Sequence, residues 1–336
     1  MNINENNLIY FEEDRNNSLV GKKIAILGYG SQGRAQALNL RDSGNLVVIG
    51  NLEDSFGEKA VEDGFMVTNF QSAINGADII FLLLPDHVHK DVYQKYIVNF
   101  IKKDAMLIVA HGYSIHYGDL KHNNKHDICL LAPRMPGAPI REKFLAGHGS
   151  PAFFAVEYDK TGGALAKLLK LADDLGFTKA GIIETSVKEE TEIDLFIEQY
   201  LLPNFIGSID HAFNYLVDEE GFNPEVTLME LYASGEVGDL LLRASQAGIH
   251  KVWEQNASPT CRFGVMNNID RVVPKSEAII KMQDTLRDIR SGSFKKLLDK
   301  EALIGYENLV TYDKKNNESL MYRTQKNINR IIKNAK

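Results

Sequence analysis

The chain has 336 residues, of which 44% are apolar and 25% are charged, and a chain of this length can form two domains with separate cores. Its net charge of −7 at pH 7 argues against a nucleic-acid partner or an anionic membrane surface. No apolar run approaches the roughly 20 residues of a membrane span, and the polar, acidic N-terminus lacks the pattern of a signal peptide. We therefore expect a cytoplasmic protein without a disulfide framework, with Cys129 and Cys261 both in the core.

A glycine-rich turn follows the first apolar run of the chain. Ile24 to Leu27 predicts a short buried strand, and Gly28, Gly30 and Gly33 then follow at G-x-G-x-x-G spacing. This spacing permits a tight turn, a close approach of the backbone to phosphate groups and close packing of the next helix on the strand. Because free amides at the start of that helix face an anion, the turn predicts a dinucleotide site.

The loop after the second predicted strand bears on the choice of dinucleotide. The strand covers Leu46 to Ile49, and Glu53 and Asp54 follow about 20 residues after the last glycine, where an acid would bind the ribose 2′-hydroxyl. The loop 51–57 contains no Lys or Arg, so a 2′-phosphate would meet like charge and NADH is favoured over NADPH. Alternatively, both acids are only solvated loop residues.

Further apolar runs, Ile79 to Leu84 and Met106 to Ala110, predict a parallel sheet that is covered on both faces. Polar pairs follow the strands, and ligands bind beyond the carboxyl ends of strands in such sheets. The predicted cofactor-binding residues are Gly28, Tyr29, Gly30, Ser31, Gln32, Gly33, Glu53, Asp54, Ser55, Pro85 and Gly137. The alternation of strands and helices stops after about residue 183. We therefore predict an α/β dinucleotide-binding domain over 1–183 and an all-α domain over 184–332.

The second domain opens with an acidic helix. Glu190, Asp194 and Glu198 recur every four residues, so they share one face. Apolar neighbours around Asp194 predict that this helix is largely buried, and buried acids need a cation. Oxygen ligands favour magnesium or manganese. The alternative is a solvated acidic face.

Several motifs in order resemble ketol-acid reductoisomerase, the acetohydroxyacid isomeroreductase of branched-chain amino acid synthesis. They are GYGSQGRAQALNLRDSG, LLLPD, the HG pair at 111–112, the PG pair at 136–137 and DLFIEQ at 194–199. The resemblance implies a Rossmann domain and a knotted helical domain that interlocks with a second subunit in a homodimer or higher oligomer. It implies alkyl migration in a 2-acetohydroxy acid, assisted by two Mg²⁺ ions, and then reduction by NAD(P)H to a 2,3-dihydroxy acid.

The resemblance also implies roles for individual residues. Asp194 bridges the two metal ions, Glu198 reaches one of them, and Glu230 corresponds to the glutamate that the partner subunit contributes. Ser258 matches the serine that holds the substrate carboxylate, and His111 lies near the nicotinamide and the substrate. Taken alone, His111 is favoured as a strand-end cap and Ser258 as a turn residue over catalytic roles, and Glu230 is an ordinary helix acid.

The chain departs from the family pattern at three positions. Arg134 stands where the family usually has a lysine, Ile197 replaces the glycine of DLFGEQ, and Ser234 replaces the last metal-binding glutamate. Arg134 is included among the predicted catalytic residues, but an arginine cannot handle a proton. Glu236 is a metal candidate if Gly235 breaks the helix and brings it round.

These departures leave two alternatives to a reductoisomerase. One is an NADH-dependent reductase of a 2-oxo acid that has lost the migration step. The other is a nucleotide-binding protein without catalysis, which the joint presence of Asp194, Glu198, Glu230 and Ser258 disfavours. Near the C-terminus, IRSGSF predicts a helix that ends in a glycine cap, and the polar, basic segment beyond Tyr312 predicts a solvated helix or frayed tail.

Overall fold

The computed structural model describes residues 9–10, 19, 21–121 and 125–332. Most of the polar N-terminal segment, on which the expectation about a signal peptide rests, lies outside the described residues. Residue contacts divide the chain into two units, Met1–Ile193 and Asp194–Lys336. The boundary between 183 and 184 that the sequence suggests stays a prediction.

The first unit contains a nine-stranded sheet in the order β1-β9-β8-β7-β6-β5-β2-β3-β4. The strands are β1 (Ile9–Tyr10), β2 (Lys23–Leu27), β3 (Leu46–Gly50), β4 (Val67–Thr68), β5 (Ile79–Leu82), β6 (Met106–Val109), β7 (Asp127–Pro133), β8 (Ala152–Tyr158) and β9 (Ile182–Glu184). The pairs β1–β9 and β7–β8 are antiparallel, and the other pairs are parallel. The segment β4-β3-β2-β5-β6-β7 has the strand order of a dinucleotide-binding sheet, with its reversal point between β2 and β5.

Both faces of this sheet are buried, as its apolar strands predict. Ile24 and Ile26 of β2 lie in one hydrophobic cluster, whereas Ala25 and Leu27 lie in another. Successive side chains of a strand point to opposite faces, so the two clusters are the two covered faces. The α/β prediction for this part of the chain is confirmed.

The helices of the first unit connect the strands and cover the sheet. They are α1 (Ser31–Asp42), α2 (Ser55–Glu62), α3 (Phe70–Ile74), α4 (Asp86–Val92), the π-helical segment Tyr93–Ile97, α5 (Val98–Phe100), α6 (Tyr113–His116), α7 (Gly137–Leu145), α8 (Ala164–Asp174) and α9 (Val187–Phe196). Helix α9 continues across the division between the units, since Asp194 lies within it.

The second unit is helical throughout its described residues, as predicted. Its helices are α10 (Leu202–Asn214), α11 (Pro224–Leu228), α12 (Glu236–Ala247), α13 (Ile249–Asn256), α14 (Pro259–Val272), α15 (Lys275–Ser291), α16 (Ser293–Leu303), α17 (Glu307–Asn317) and α18 (Leu320–Ile332), with π-helical segments at Ile197–Leu201, Tyr215–Glu219 and Met229–Ala233. Gly292 ends α15 with a φ of +71°, which confirms the predicted glycine cap. Among the described residues, no helix is long and apolar enough to cross a membrane.

Two expectations about burial are wrong. The C-terminal segment is not simply a solvated tail, because Ile328 of α18 forms a buried cluster with Phe213 and Leu228. The polar composition hides this contact, since only one stripe of the amphipathic helix is apolar. Of the two cysteines, Cys129 is buried in β7, but Cys261 is exposed on α14.

Candidate active site

The turn between β2 and α1 needs glycine at two positions for reasons within the chain. Gly28 has a φ of +95°, and a Cβ there would lie 2.8 Å from the Leu83 carbonyl oxygen. A Cβ on Gly33 would clash with the Gly28 carbonyl oxygen. By contrast, a Cβ on Gly30 would meet nothing within 4 Å. Packing within the chain therefore does not explain Gly30, and the close approach of a ligand to its backbone stays a prediction.

The first turn of α1 fits an anion such as a pyrophosphate. No side chain caps this helix, and its first turn contains no acidic residue, so its amides can bind a negative group. Ser31 Oγ accepts a hydrogen bond from the Gly137 amide at 3.1 Å, and Gln32 Nε2 donates to the Met135 carbonyl at 2.9 Å. These bonds fix the glycine turn to the loop after β7, and they explain why a Cβ on Gly137 would clash with Ser31.

Tyr29 has contacts that its predicted cofactor role does not require. Its ring is buried, its hydroxyl donates to Asp63 Oδ2 at 2.9 Å, and its amide donates to Asn51 Oδ1 at 3.1 Å. Burial, together with the hydrogen bond to Asp63, raises the pKa of Tyr29 above its usual value. Tyr29 thus joins the turn to the end of α2, and direct contact with a cofactor stays a prediction.

Asp54 caps the start of α2. Its Oδ1 accepts hydrogen bonds from the amides of Phe56 and Gly57 and from Asn51 Nδ2, at 2.8 to 3.0 Å. This carboxylate is therefore held in the loop that was predicted to bind the ribose, between the exposed residues Glu53 and Ser55. The predicted contacts of all three with a ribose stay predictions.

Two cations that the loop sequence does not indicate lie near the glycine turn. Arg34 and Lys59 line a pocket of about 390 Å³ that Gly30 and Ser31 also line. Arg34 Nε lies 2.6 Å from Asp63 Oδ2, and its Nη2 donates to Asp63 Oδ1 at 3.2 Å. The loop 51–57 contains neither cation, because Arg34 lies on α1 and Lys59 lies on the body of α2.

Two polar side chains meet beyond the neighbouring strands β5 and β6. Pro85 precedes α4, and Asp86 is its first residue. His111 follows β6, and its Nδ1 lies 3.0 Å from Asp86 Oδ2. On the same helix, His89 is buried, and this burial lowers its pKa. The carboxyl ends of β5 and β6 thus carry a partly exposed Asp–His pair.

Arg134 forms a buried ion pair with Glu190. Its Nη2 lies 2.8 Å from Glu190 Oε1, while the Gly112 amide donates to Glu190 Oε2 at 2.9 Å. Arg134 Nε donates to the Ala132 carbonyl at 3.2 Å, and its guanidinium lies 4.9 Å from the centre of the Phe153 ring. The burial of Glu190 therefore does not by itself call for a metal ion, because a guanidinium and an amide already compensate its charge.

Helix α9 provides two of the three residues of the candidate metal group. His111, Glu190 and Asp194 each offer a ligand atom, and these atoms all lie within 4.8 Å of one another. The two carboxylates fit a hard cation such as Mg²⁺. Glu190 was placed on the acidic face but not among the predicted site residues, and its position one turn before Asp194 was the available signal.

The expectation that α9 is largely buried is only half right. Glu190 and Leu195 are buried, but Ile193 is 50% exposed, and Ile197 in the π-helical segment that follows is 38% exposed. Apolar neighbours in the sequence did not predict this, because they can be covered by a second chain as well as by their own.

The other predicted site residues do not join this group. Glu198 and Glu230 are exposed in π-helical segments, and Glu236 begins α12 after Gly235, whose φ of +86° breaks the helix as expected. Within the described part of the chain, none of these acids belongs to a group of three metal-ligating side chains. Ser258 caps α14 by accepting a hydrogen bond from the Cys261 amide at 3.2 Å. The roles of these four residues stay predictions.

Comparison with known families covers almost the whole chain. The model of the acetohydroxy acid isomeroreductase NADPH-binding domain matches residues 18–181, and that of the ketol-acid reductoisomerase C-terminal domain matches 187–334. The chain belongs to the ketol-acid reductoisomerase family. The resemblance found in the sequence is thereby confirmed.

Individual relatives agree with this assignment. A curated ketol-acid reductoisomerase (NADP(+)) from Methanosphaera stadtmanae is 35% identical and covers 96% of both chains. The enzyme of the same name from Methanocaldococcus jannaschii is 36% identical, over 96% of this chain and 97% of its own. The solved structure of an NADH-preferring ketol-acid reductoisomerase from an uncultured archaeon matches with a TM-score of 0.90, at 31% identity, over 96% of this chain and 98% of that one. Family and fold therefore agree across both units.

Proposed function

We propose that this chain catalyses the ketol-acid reductoisomerase reaction of branched-chain amino acid synthesis. The observation that carries the proposal is the match of both family domains, in order, to residues 18–181 and 187–334. In this reaction, an alkyl group of a 2-acetohydroxy acid such as 2-acetolactate migrates to give a 3-hydroxy-2-oxo acid. A hydride from NAD(P)H and a proton then reduce the new ketone to a 2,3-dihydroxy acid.

The residues around α9 supply the setting for migration. Bound Mg²⁺ would polarise the substrate oxygens. The proposed ligands are Asp194 and Glu198 of one chain together with the partner's Glu230, and Glu236 is a further candidate. Arg134 holds Glu190 by its 2.8 Å ion pair, so the guanidinium balances charge beside the metal group rather than moving a proton. Ser258 would hold the substrate carboxylate.

For the reducing cofactor we propose NADH as the preferred form. Asp54 is fixed at the start of α2 by three hydrogen bonds, and its charge opposes a 2′-phosphate. The solved relative of this fold is NADH-preferring. The curated relatives are named for NADP(+). If this chain used NADPH, Arg34 and Lys59 in the neighbouring pocket are the cations that would bind its 2′-phosphate.

The active form is proposed to be a homodimer or a larger assembly of the same chain. Large apolar side chains of the second unit are exposed, among them Phe205, Leu242 and Phe263 at 45%, 64% and 62%. Exposed apolar surface on this scale is typical of an interface between subunits. A second copy would also bring the partner's Glu230 to each site.

The contacts of Arg134 favour a second candidate function, a reductase without the migration step. Because its guanidinium is fixed by Glu190, Ala132 and Phe153, a step that needs a titrating lysine at this position would be lost. The protein would then be an NADH-dependent reductase of the rearranged 2-oxo acid.

The experiment that separates the two functions follows NADH oxidation with and without Mg²⁺ on two substrates. These are 2-acetolactate and the rearranged 3-hydroxy-3-methyl-2-oxobutyrate. We expect turnover of both, with 2-acetolactate strictly dependent on Mg²⁺. Turnover of only the rearranged compound would assign the reductase, and turnover of neither would refute both functions.

A further inference from the structure

Two neighbouring segments beyond the carboxyl ends of β5 and β6 are joined by a pair of side-chain links. One segment follows β5 and contains Leu84 and Asp86, and the other follows β6 and contains His111 and Ser114. Helix α4 begins at Asp86 and helix α6 at Tyr113. Both links lie within the first unit, so their geometry does not depend on the second.

The first link is a hydrogen bond between Asp86 and His111. The Oδ2 atom of Asp86 lies 3.0 Å from Nδ1 of His111, and both side chains are about three-quarters buried, at 28% and 23% exposure. A carboxylate accepts hydrogen bonds and does not donate them when it is ionised. Beside the ionised carboxylate, Nδ1 therefore carries a proton whether the ring is neutral or charged, and Nε2 is the ring nitrogen that Asp86 does not bind.

The second link is the buried ring of His89, which is 3% exposed. Its Nε2 lies 2.8 Å from the Leu84 carbonyl, and its Nδ1 lies 2.8 Å from Ser114 Oγ. Since a carbonyl only accepts, Nε2 is the donor, and the neutral ring accepts at Nδ1 from the Ser114 hydroxyl. His89 thus holds the two segments at a fixed separation just behind the Asp86–His111 pair.

We infer that Asp86 is a positioning residue that fixes the tautomer and ring orientation of His111, an inference that rests on the proposed function. The family resemblance implies that His111 lies near the nicotinamide and the substrate, and its ligand atom lies within 4.8 Å of those of Glu190 and Asp194. Free imidazole does not hold one tautomer, so a carboxylate on Nδ1 presents Nε2 to the reacting groups in a defined direction. The motif LLLPD contains Asp86, but the motif alone does not indicate this role.

The direct test is the ¹⁵N spectrum of histidine-labelled protein at about pH 8.5, where an ordinary imidazole is neutral. The signal of His111 is identified by its loss in His111→Gln. We expect the Nδ1–H tautomer in the unaltered protein and in Asp86→Asn, whose amide oxygen still accepts, and a shift toward Nε2–H in Asp86→Ala. An Nε2–H ring in the unaltered protein, or no change in Asp86→Ala, would overturn the inference.

Kinetics supply the second readout. In Asp86→Ala, kcat for the rearranged 2-oxo acid should fall roughly 10- to 100-fold, the usual effect of removing an orienting partner, with KM for NADH unchanged. Asp86→Asn should recover most of the rate, and the exposed Asp91→Ala on the same helix should match the unaltered protein. Full activity in Asp86→Ala would contradict the inference. Absence of turnover in the unaltered protein, with the Nδ1–H tautomer present, would refute the proposed function and support the Asp86 contact.

Discussion

The two units of this chain differ in how much of their apolar surface they bury. In the first unit, Phe81, Phe154 and Phe177 are fully buried between helices and sheet. In the second unit, a small cluster around Phe213 is buried, while large side chains such as Phe263 remain exposed. The same contrast holds for the predicted site residues. Those of the glycine turn contact one another within one chain, whereas Glu198, Glu230 and Glu236 join no group of metal-ligating side chains among the described residues.

The substitution with the largest expected effect removes the charge of Asp194, a proposed metal ligand. Asp194→Asn should lower the Mg²⁺-dependent turnover of 2-acetolactate by about 10³-fold or more, because Lewis-acid stabilisation is worth several kcal/mol. NADH binding, measured by fluorescence titration, should stay the same, since the glycine turn lies in the first unit.

The matched control is Asp313→Asn, an exposed acid on α17, which should leave both activities unchanged. Equal losses of NADH binding and turnover in Asp194→Asn would show that NADH binding depends on Asp194 as much as turnover does.

The reciprocal change acts on the first unit. A Cβ at Gly33 would clash with the Gly28 carbonyl oxygen, so Gly33→Ala should displace the turn and weaken NADH binding about 10- to 100-fold, or 1–3 kcal/mol. Self-association, measured by sedimentation velocity, should not change. Gly207→Ala on α10, where a Cβ would meet nothing within 4 Å, serves as the control and should bind NADH normally. Loss of self-association in Gly33→Ala would contradict the assignment of NADH binding to the first unit and of self-association to the second.

The smallest expected effect concerns stability against acid. The guanidinium of Arg34 beside Asp63 holds the pKa of this carboxyl below its usual value. Because the folded pKa is lowered, the ion pair adds stability above the unfolded pKa of about 3.9, and this is lost as pH falls through the folded value.

Asp63→Asn should therefore lower the free energy of unfolding at pH 7 by about 1 kcal/mol or less, because Arg34 is half exposed. The difference between the two proteins should shrink below about pH 4. Chemical denaturation at pH 7 and pH 3 measures it, and a difference that grows in acid would exclude the ion pair as its source.

Local features of the site could be predicted from the sequence. Gly33 packs against the carbonyl of Gly28, five residues earlier, and Gly28 makes the turn through its own positive φ. Gly235 and Gly292 likewise end helices through their own positive φ. For such residues, the local sequence is sufficient to predict the backbone conformation.

Features that depend on distant parts of the chain could not be predicted. Arg134 and Glu190 are 56 residues apart in sequence, and nothing in either segment specifies the ion pair that compensates the buried acid. The exposure of Ile193 and Ile197 also escaped prediction, because an apolar sequence does not say which chain covers it.

The claim that the second unit needs another copy of the chain is tested most directly by mixing two inactive variants. Asp194→Asn and Glu230→Gln are co-expressed with different tags, and the hybrid is assayed with 2-acetolactate, NADH and Mg²⁺. If each site takes Asp194 from one chain and Glu230 from its partner, every hybrid dimer contains one intact site, and a random mixture recovers roughly a quarter of the unaltered activity. A mixture as inactive as either variant alone would contradict a site shared between subunits.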